Sequence, residues 1–398
     1  MIPRILAWSL YDLANTFFAI AMISFYFPMW LMDTHKAREL TFSITLSISM
    51  AVVAVLMPVC GAISDTTQIR MRYLRWSTYA CVLFTASIAF TSNIFTALIL
   101  FGLANICYQL GTVFYDALLP QISSSAERGQ TSGLGAAFGY LGSMLGLLFL
   151  WPFAQKGGPA ATFLPAAVFF LLFALPGFFT IRDLPQARPL VLGEMVRTAL
   201  LRLGITLRLV KSEGYFWRYL WATFFSSCAI NTILVFMAVY TKKVLGFTAG
   251  EVIRFFLFSQ SFSLVGALVL SRLIPKIGAK NTLMAIWLGW IGALALVAAS
   301  LSVRFLWIAG PVFGFCLGAT WSTSRVLIID LSAPEQVAEM LGLAGLVSRV
   351  ASIVGPLIWG LIVFHPGHYR HAVIAQMALL AVGVWILKGV RLPAASRQ

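Results

Sequence analysis

The amino-acid sequence predicts an all-α membrane protein with twelve transmembrane helices in two pseudo-symmetric six-helix bundles. Composition is the first observation. Of 398 residues, 60% are hydrophobic and only 10% charged, with a mean hydropathy of +0.90. A soluble domain carries roughly 25% charged residues. The second observation is a series of apolar runs near 5–32, 41–63, 74–91, 94–119, 131–153, 160–181, 217–241, 249–271, 281–301, 304–329, 340–364 and 370–390. Most reach the length of about 20 residues that a spanning helix needs, and a helix satisfies its own backbone groups in lipid. The third is an internal repeat. Tyr115-Asp116-Ala-Leu-Leu-Pro120 through Ser123 and Glu127 to Gly133-Leu134-Gly135 ends one run and opens the next. A weaker copy runs from Leu327 through Asp330 and Ser332 to Gly342-Leu343, with Ser123 on Ser332 and Gly133 on Gly342. One repeat across membrane-length segments predicts two halves: a bundle over 1–181, a cytoplasmic linker over 182–216 and a second bundle over 217–398.

The net charge of +15 does not indicate nucleic acid, because of where the cations lie. With the N-terminus cytoplasmic, eighteen Lys and Arg fall inside, eight fall outside and two lie within spans. That is the positive-inside bias. Seven of the inner cations come from the stretch between Arg182 and Arg218. An even number of spans places both termini in the cytoplasm, and the expected location is a bacterial inner membrane. The five cysteines all lie in apolar runs without metal-ligand spacing and read as packing residues. Arg4 and the apolar run after it imitate a signal peptide. Asp12 and Asn15 interrupt that run, so an uncleaved first helix is expected.

In the first span, Asp12, Asn15 and Thr16 share one helix face. A carboxylate in a spanning helix is costly, and it is a functional group, one bonded to a neighbouring helix, or one near enough to the inner interface to be wet. The second span ends in Gly61-Ala-Ile63-Ser-Asp65 with Arg70 beyond, and its counterpart reads Ser271-Arg-Leu273-Ile-Pro275-Lys276-Ile-Gly278-Ala-Lys280. Such a loop is a tight turn whose Asp can cap a facing helix while its cations stay cytoplasmic. The fourth span carries Asn105, Tyr108 and Gln109 at i, i+3 and i+4, then Asp116. This polar stripe either binds a solute or holds helices together. In the fifth span Gly135, Gly139, Gly142 and Gly146 line one face and predict close packing. Gly342, Gly345, Gly355 and Gly360 stand in the eleventh.

Between the halves, Val191 to Val210 is apolar with spaced charges, and Glu194, Arg197, Arg208 and Lys211 fall on one face. This predicts a basic amphipathic helix on the inner membrane surface. The seventh span carries Asn231, the eighth Gln260, the tenth Trp321 and Arg325, and the eleventh Arg349. Hydrocarbon tolerates the two arginines least, so each must face protein or water. The four histidines lie in outer loops and read as solvated.

The motifs Ser9-Leu-Tyr11-Asp12-Leu-Ala14-Asn15, Phe25-Tyr26-Phe27-Pro28, Gly61-Ala-Ile-Ser-Asp65, Tyr115-Asp116-Ala-Leu-Leu-Pro120 and Ser132-Gly-Leu-Gly135 through Gly142 resemble the vacuole-effluxer-like branch of the major facilitator superfamily. The loop after the eighth span is similar to that superfamily's Gly-x-Leu-x-Asp-Arg-x-Gly-x-Lys loop. The resemblance implies alternating access around a pathway lined by the first, fourth, seventh and tenth helices. It directs Asp12, Asn15, Asn105, Tyr108, Gln109, Asn231, Trp321 and Arg325 to that pathway, and Gln260 joins them as a candidate. It also implies export of small solutes, with amino acids as the fungal precedent. Many facilitators carry an Arg in the fourth helix where this chain has Cys107, so a proton relay built on that Arg does not carry over.

The expected function is secondary transport of a small polar or amphiphilic solute, outward, coupled to a proton or another cation. The protein is expected to be monomeric, with the lipid bilayer as its other partner. No cofactor is expected, and no phosphate-binding loop is present. The alternatives are a lipid or hydrophobic-drug exporter of the same fold and a non-transporting membrane sensor. An intramembrane enzyme would need a nucleophile–base pair or metal ligands at depth, and no His lies in a span. Asp12, Asp116, Arg325 and Arg349 lie at similar depths, within roughly 10 Å at 1.5 Å per residue. With Asp65 and Arg70 they are candidates for a cytoplasmic gate, in which an acid of the first half pairs with a base of the second.

Overall fold

The computed structural model describes residues 3–67, 69–123, 128–183, 214–299, 303–332, 337–364 and 369–391. These residues form twelve long helices: α1 (Arg4–Thr34), α2 (Glu39–Thr67), α3 (Arg70–Ile88), α4 (Ile94–Ile122), α5 (Arg128–Gly157), α6 (Phe163–Thr180), α7 (Gly214–Leu245), α8 (Ala249–Ile277), α9 (Ala279–Ala299), α10 (Val303–Leu331), α11 (Val337–Val363) and α12 (Tyr369–Lys388). A 3₁₀ turn, Pro159–Thr162, leads into α6. The segment expected to form the amphipathic linker helix, with Glu194, Arg197, Arg208 and Lys211, lies outside the described residues.

Among the described residues, ten helices are long and apolar enough to cross a membrane. α3, which opens with Arg70, Arg72 and Arg75, is not among them.

α1, expected from the sequence as an uncleaved first helix, is bent. An α-helical segment to Phe18 passes into a π-helical turn over Ala19–Ser24, and Phe25 leaves helical geometry at φ −132° and ψ −76°. Pro28 accounts for the break, since its ring has no N–H and crowds the carbonyl four residues back, at Ser24. Phe25 N–H donates instead to Ile20 O, five residues back, at 3.0 Å.

Contacts divide the chain into two compact units, Met1–Gly204 and Ile205–Gln398. In the first, the main pairings are α1 with α5 and α6, α4 with α2 and α3, and α3 with α6. In the second they are α7 with α11 and α12, α10 with α8 and α9, and α9 with α12. Adding six to each helix number of the first scheme gives the second.

Small residues set these contacts. A methyl group at Gly314 or Gly318 of α10 would run into the carbonyls of Ser259 and Ser263 on α8. One at Gly355 of α11 would meet Cys228 O of α7, whereas Gly342 and Gly345 have open space. Such approaches maximise dispersion where lipid offers no hydrophobic drive between helices. At one end of each unit, helix termini are tied by charge. Asp183 caps α3 by accepting from Met71 N–H (2.6 Å) and Arg72 N–H (3.1 Å), and Arg75 donates to Phe178 O at 2.7 Å. In the second unit Lys280 donates to Lys388 O at 2.9 Å and Arg218 to Gly389 O at 3.2 Å. Cations there complement the negative C-terminal end of α12. The Asp65 side chain, for which the sequence suggested capping of a facing helix, lies outside the described residues. The glycine of the second loop, Gly278, takes φ +82° and ends α8, with its N–H donating to Ile274 O at 2.8 Å.

Candidate functional site

The site is built on α1 of the first unit. At 100° per residue, Trp8, Asp12 and Thr16 point to one side of α1, Tyr11 to the other, and Asn15 between them. The glycine stripe of α5 receives the first set. A Cβ at Gly135 would lie 2.6 Å from Trp8 Cζ3, and one at Gly139 would lie 3.0 Å from Asp12 Oδ2. One at Gly142 would run into Thr16 Oγ1. The Asp12 carboxylate therefore rests directly on the α5 backbone. Among the described residues nothing hydrogen-bonds to it or forms an ion pair with it. Asp116 of α4 is within electrostatic reach and of the same charge.

The other side of α1 packs on α3 and α4 through aromatic rings. Tyr115 stacks on Trp8 with centroids 4.3 Å apart and planes 5° apart, and Tyr11 lies 5.3 Å from the same ring. Trp8 Nε1–H donates to Tyr115 O at 3.1 Å, and Tyr11 Oη shares a 2.8 Å hydrogen bond with Thr78 Oγ1 of α3. The Tyr115 ring is thus held by two stacked rings, yet its buried hydroxyl has no hydrogen-bond partner among the described residues. Buried polar groups are nearly always paired, so each exception calls for an explanation. Asn15 Oδ1 is a second exception, on a residue only 5% exposed.

The polar stripe of α4 divides. Asn105 is fully buried and donates to Ser49 Oγ of α2 at 2.8 Å, which ties two helices together. Tyr108 stacks on Phe18 at 4.7 Å. The Gln109 amide has no hydrogen-bond partner among the described residues and is half-buried. Asp12, Asn15 and Gln109 therefore keep polar capacity for another molecule; Asn105 has spent its amide N–H on packing, while its Oδ1, like that of Asn15, has no hydrogen-bond partner among the described residues.

Candidates of the second unit are dispersed. Asn231 donates to Ser352 Oγ of α11 at 2.7 Å, a second amide–serine tie between helices. Gln260 lines an apolar cavity of about 60 Å³ with Met237, Phe256, Trp290 and Phe313. Trp321 is 43% exposed, Arg325 is also exposed, and Arg349 is half-buried. In the first unit Asp116 is exposed, and Arg70 donates to Ala117 O at 2.6 Å. Sequence reasoning missed Trp8, Tyr11, Tyr115 and Tyr140 as site residues. The last is within electrostatic reach of Asp12.

The family model for vacuole effluxer Atg22-like proteins matches residues 39–398. The chain belongs to that family. Two relatives are similar over nearly the whole chain. An uncharacterized protein of Aquifex aeolicus is 27% identical over 388 residues, covering 96% of this chain and 95% of the relative. The uncharacterized MFS-type transporter YxiO of Bacillus subtilis is 23% identical over 407 residues, covering 96% and 93%. Solved structures with the same fold include the nucleoside transporter NupG (TM-score 0.76, 13% identity, 97% and 99% covered) and a D-xylose–proton symporter (TM-score 0.76, 13% identity, 99% and 98% covered). A bacterial homologue of the lysosomal transporter Spinster superposes with a TM-score of 0.72 at 14% identity, covering 96% and 94%. This member of the Atg22-like family is therefore a major facilitator transporter with multiple membrane spans, not an enzyme.

Proposed function

We propose that this Atg22-like transporter exports a small polar or amphiphilic solute, with amino acids as the first class to test. Transport would proceed by alternating access of bundles 1–181 and 217–398 joined by the linker 182–216, in a bacterial inner membrane with both termini cytoplasmic. The observation that carries the reading is the Asp12 carboxylate, which lies in a spanning helix against Gly139 without a hydrogen-bond or ion-pair partner among the described residues. An ionised group held this way is destabilised unless a bound solute or cation compensates it. Asn15, one turn along α1, and Gln109 of α4 supply further polar capacity in the same unit. A proton or another cation is the natural coupling partner, and a D-xylose–proton symporter of the same fold is a precedent for such coupling.

One feature favours the second reading, a lipid or hydrophobic-drug exporter. An apolar groove of about 370 Å³ between α2 and α4 is lined by Ile48, Phe95, Ile99 and Leu103. Thermal-shift screening of the purified protein against amino acids, sugars, nucleosides and lipids separates the readings. A ligand that binds only the folded state raises the melting temperature with concentration. Shifts with amino acids that vanish in Asp12→Asn support the polar-solute reading. Shifts with lipids alone sink it in favour of the groove.

A further inference from the structure

We propose that the second unit holds an anionic phospholipid, with its phosphate between Arg218 of α7 and Lys388 of α12 and an acyl chain along the exposed face of α12. The site does not depend on the transport reading. In the orientation proposed above it lies in the inner leaflet.

Arg218 stands in the first turns of α7 and Lys388 closes α12. Both line one surface recess of about 540 Å³ with Trp385, Ile386 and Gly389. Arg218 Nη1–H donates to Gly389 O at 3.2 Å, which holds the guanidinium at the end of α12 and leaves its other N–H donors for a ligand. The Lys388 side chain is exposed, and among the described residues no hydrogen bond or ion pair engages its ammonium. Lys280 brings a third charge to this end by donating to Lys388 O and Val390 O. The described residues of α7, α9 and α12 include no Asp or Glu; Glu213, just before α7, lies outside the described residues. The matching end of the first unit differs, since Asp183 stands there against the start of α3. These three helices of the second unit therefore present cations without an acid, and a phosphate completes the charge.

The face of α12 that leads to Lys388 is apolar. Ile374, Ala378, Val382 and Trp385 follow at steps of three and four residues and are all exposed, Trp385 at 77%. From Ala378 to Lys388 is ten residues, or about 15 Å at the helical rise, half of a hydrocarbon core roughly 30 Å thick. One helix face thus runs the depth of a leaflet and ends at the recess. Trp385 stands one turn before Lys388, where amphipathic rings meet headgroups. The fork of an Arg and the point charge of a Lys together recognise phosphate oxygens, and basic pockets between membrane helices bind anionic headgroups. A free phosphate would use neither Trp385 nor the apolar face. A zwitterionic lipid would set its own cation against Arg218 and Lys388.

The test titrates dioctanoyl phosphatidylglycerol or dioctanoyl phosphatidylcholine into the detergent-solubilised full chain and follows bound lipid by native mass spectrometry. Phosphatidylglycerol is expected to bind saturably and about tenfold tighter than phosphatidylcholine. Each cation near a membrane surface is worth about a fivefold change in affinity. Lys388→Gln is therefore expected to weaken phosphatidylglycerol about fivefold, and Arg218→Gln combined with Lys388→Gln about twentyfold. Arg72→Gln removes an exposed cation at the matching end of the first unit and is expected to leave this binding unchanged. Melting temperatures of the lipid-free variants show that they remain folded. Arg218→Gln removes a bond to α12, whereas the Lys388 side chain makes none among the described residues, so Lys388→Gln decides the matter if Arg218→Gln loosens the fold. The proposal is overturned if the two lipids bind alike, or if Lys388→Gln binds phosphatidylglycerol as the unmodified chain does. It is also overturned if Arg72→Gln costs as much as Lys388→Gln, which would show general attraction to cations. Displacement of the lipid by an equal concentration of inorganic phosphate would make the recess a site for soluble anions and overturn it too.

Discussion

At Gly142 an added methyl group would lie 2.8 Å from Leu13 Cα and 2.5 Å from Leu13 O, main-chain atoms that move only if a whole helix moves. Gly142→Ala is therefore expected to destabilise the first unit by about 1–3 kcal/mol, the usual cost of overpacking, and to lower the melting temperature. Gly139→Ala presses chiefly on the Asp12 carboxylate, at 3.0 Å from Oδ2 and 3.4 Å from Cγ. It is expected to cost less stability than Gly142→Ala while weakening ligand binding more. Thermal melts and ligand titrations of the two variants check that ordering. The glycine stripe and Asp12 were both legible in the sequence, one as small residues at helical spacing and the other as a carboxylate in an apolar run. Tyr115 was not read as a site residue, because an aromatic near a run end reads equally as part of an interfacial belt. Its role depends on which ring stacks on it, and that is tertiary information.

Asn105 and Asn231 show the same ambiguity at the scale of helix pairs. An amide at mid-helix is equally suited to a solute or to a neighbouring helix, and the sequence left both open. The structure places Asn105 on Ser49 and Asn231 on Ser352, at 2.8 and 2.7 Å. Asn105→Ala is expected to cost about 0.6 kcal/mol, a typical interhelical bond in membranes, with ligand affinity retained. Gln109→Ala is expected to do the reverse, with loss of affinity and little change in melting. Asp183→Ala removes the two acceptors at the start of α3 and is expected to cost about 1 kcal/mol, as loss of an N-cap does. The twelve helices were legible because long apolar runs are the strongest signal a sequence carries. The bend in α1 was not, although Pro28 stood in plain view, because proline in a membrane helix kinks or is absorbed according to its neighbours.

For the whole molecule, the two copies of one pairing scheme accord with the weak repeat read from Ser123 and Ser332. Much of the second copy was hard to see because packing constrains residue size rather than identity. The acids Asp12 and Asp116 belong to the first unit and the bases Arg325 and Arg349 to the second. We retain as a proposal that an acid–base pair between them stabilises one state of the transport cycle. A partly buried pair at 4 Å is worth up to about 4 kcal/mol before desolvation, enough to bias a two-state equilibrium. Asp12→Arg or Asp116→Arg is expected to abolish transport, and Arg325→Asp or Arg349→Asp in the same chain is expected to restore part of it. Absence of rescue in every combination sinks the pair. The central claim, solute movement that depends on the Asp12 site, is tested most directly by counterflow. Proteoliposomes holding purified protein are loaded with an unlabelled amino-acid mixture and diluted into labelled amino acids. The account predicts a transient accumulation of at least one label that protein-free liposomes lack and Asp12→Asn abolishes. Accumulation that is undiminished in Asp12→Asn, or absent for every amino acid while another solute class exchanges, contradicts it.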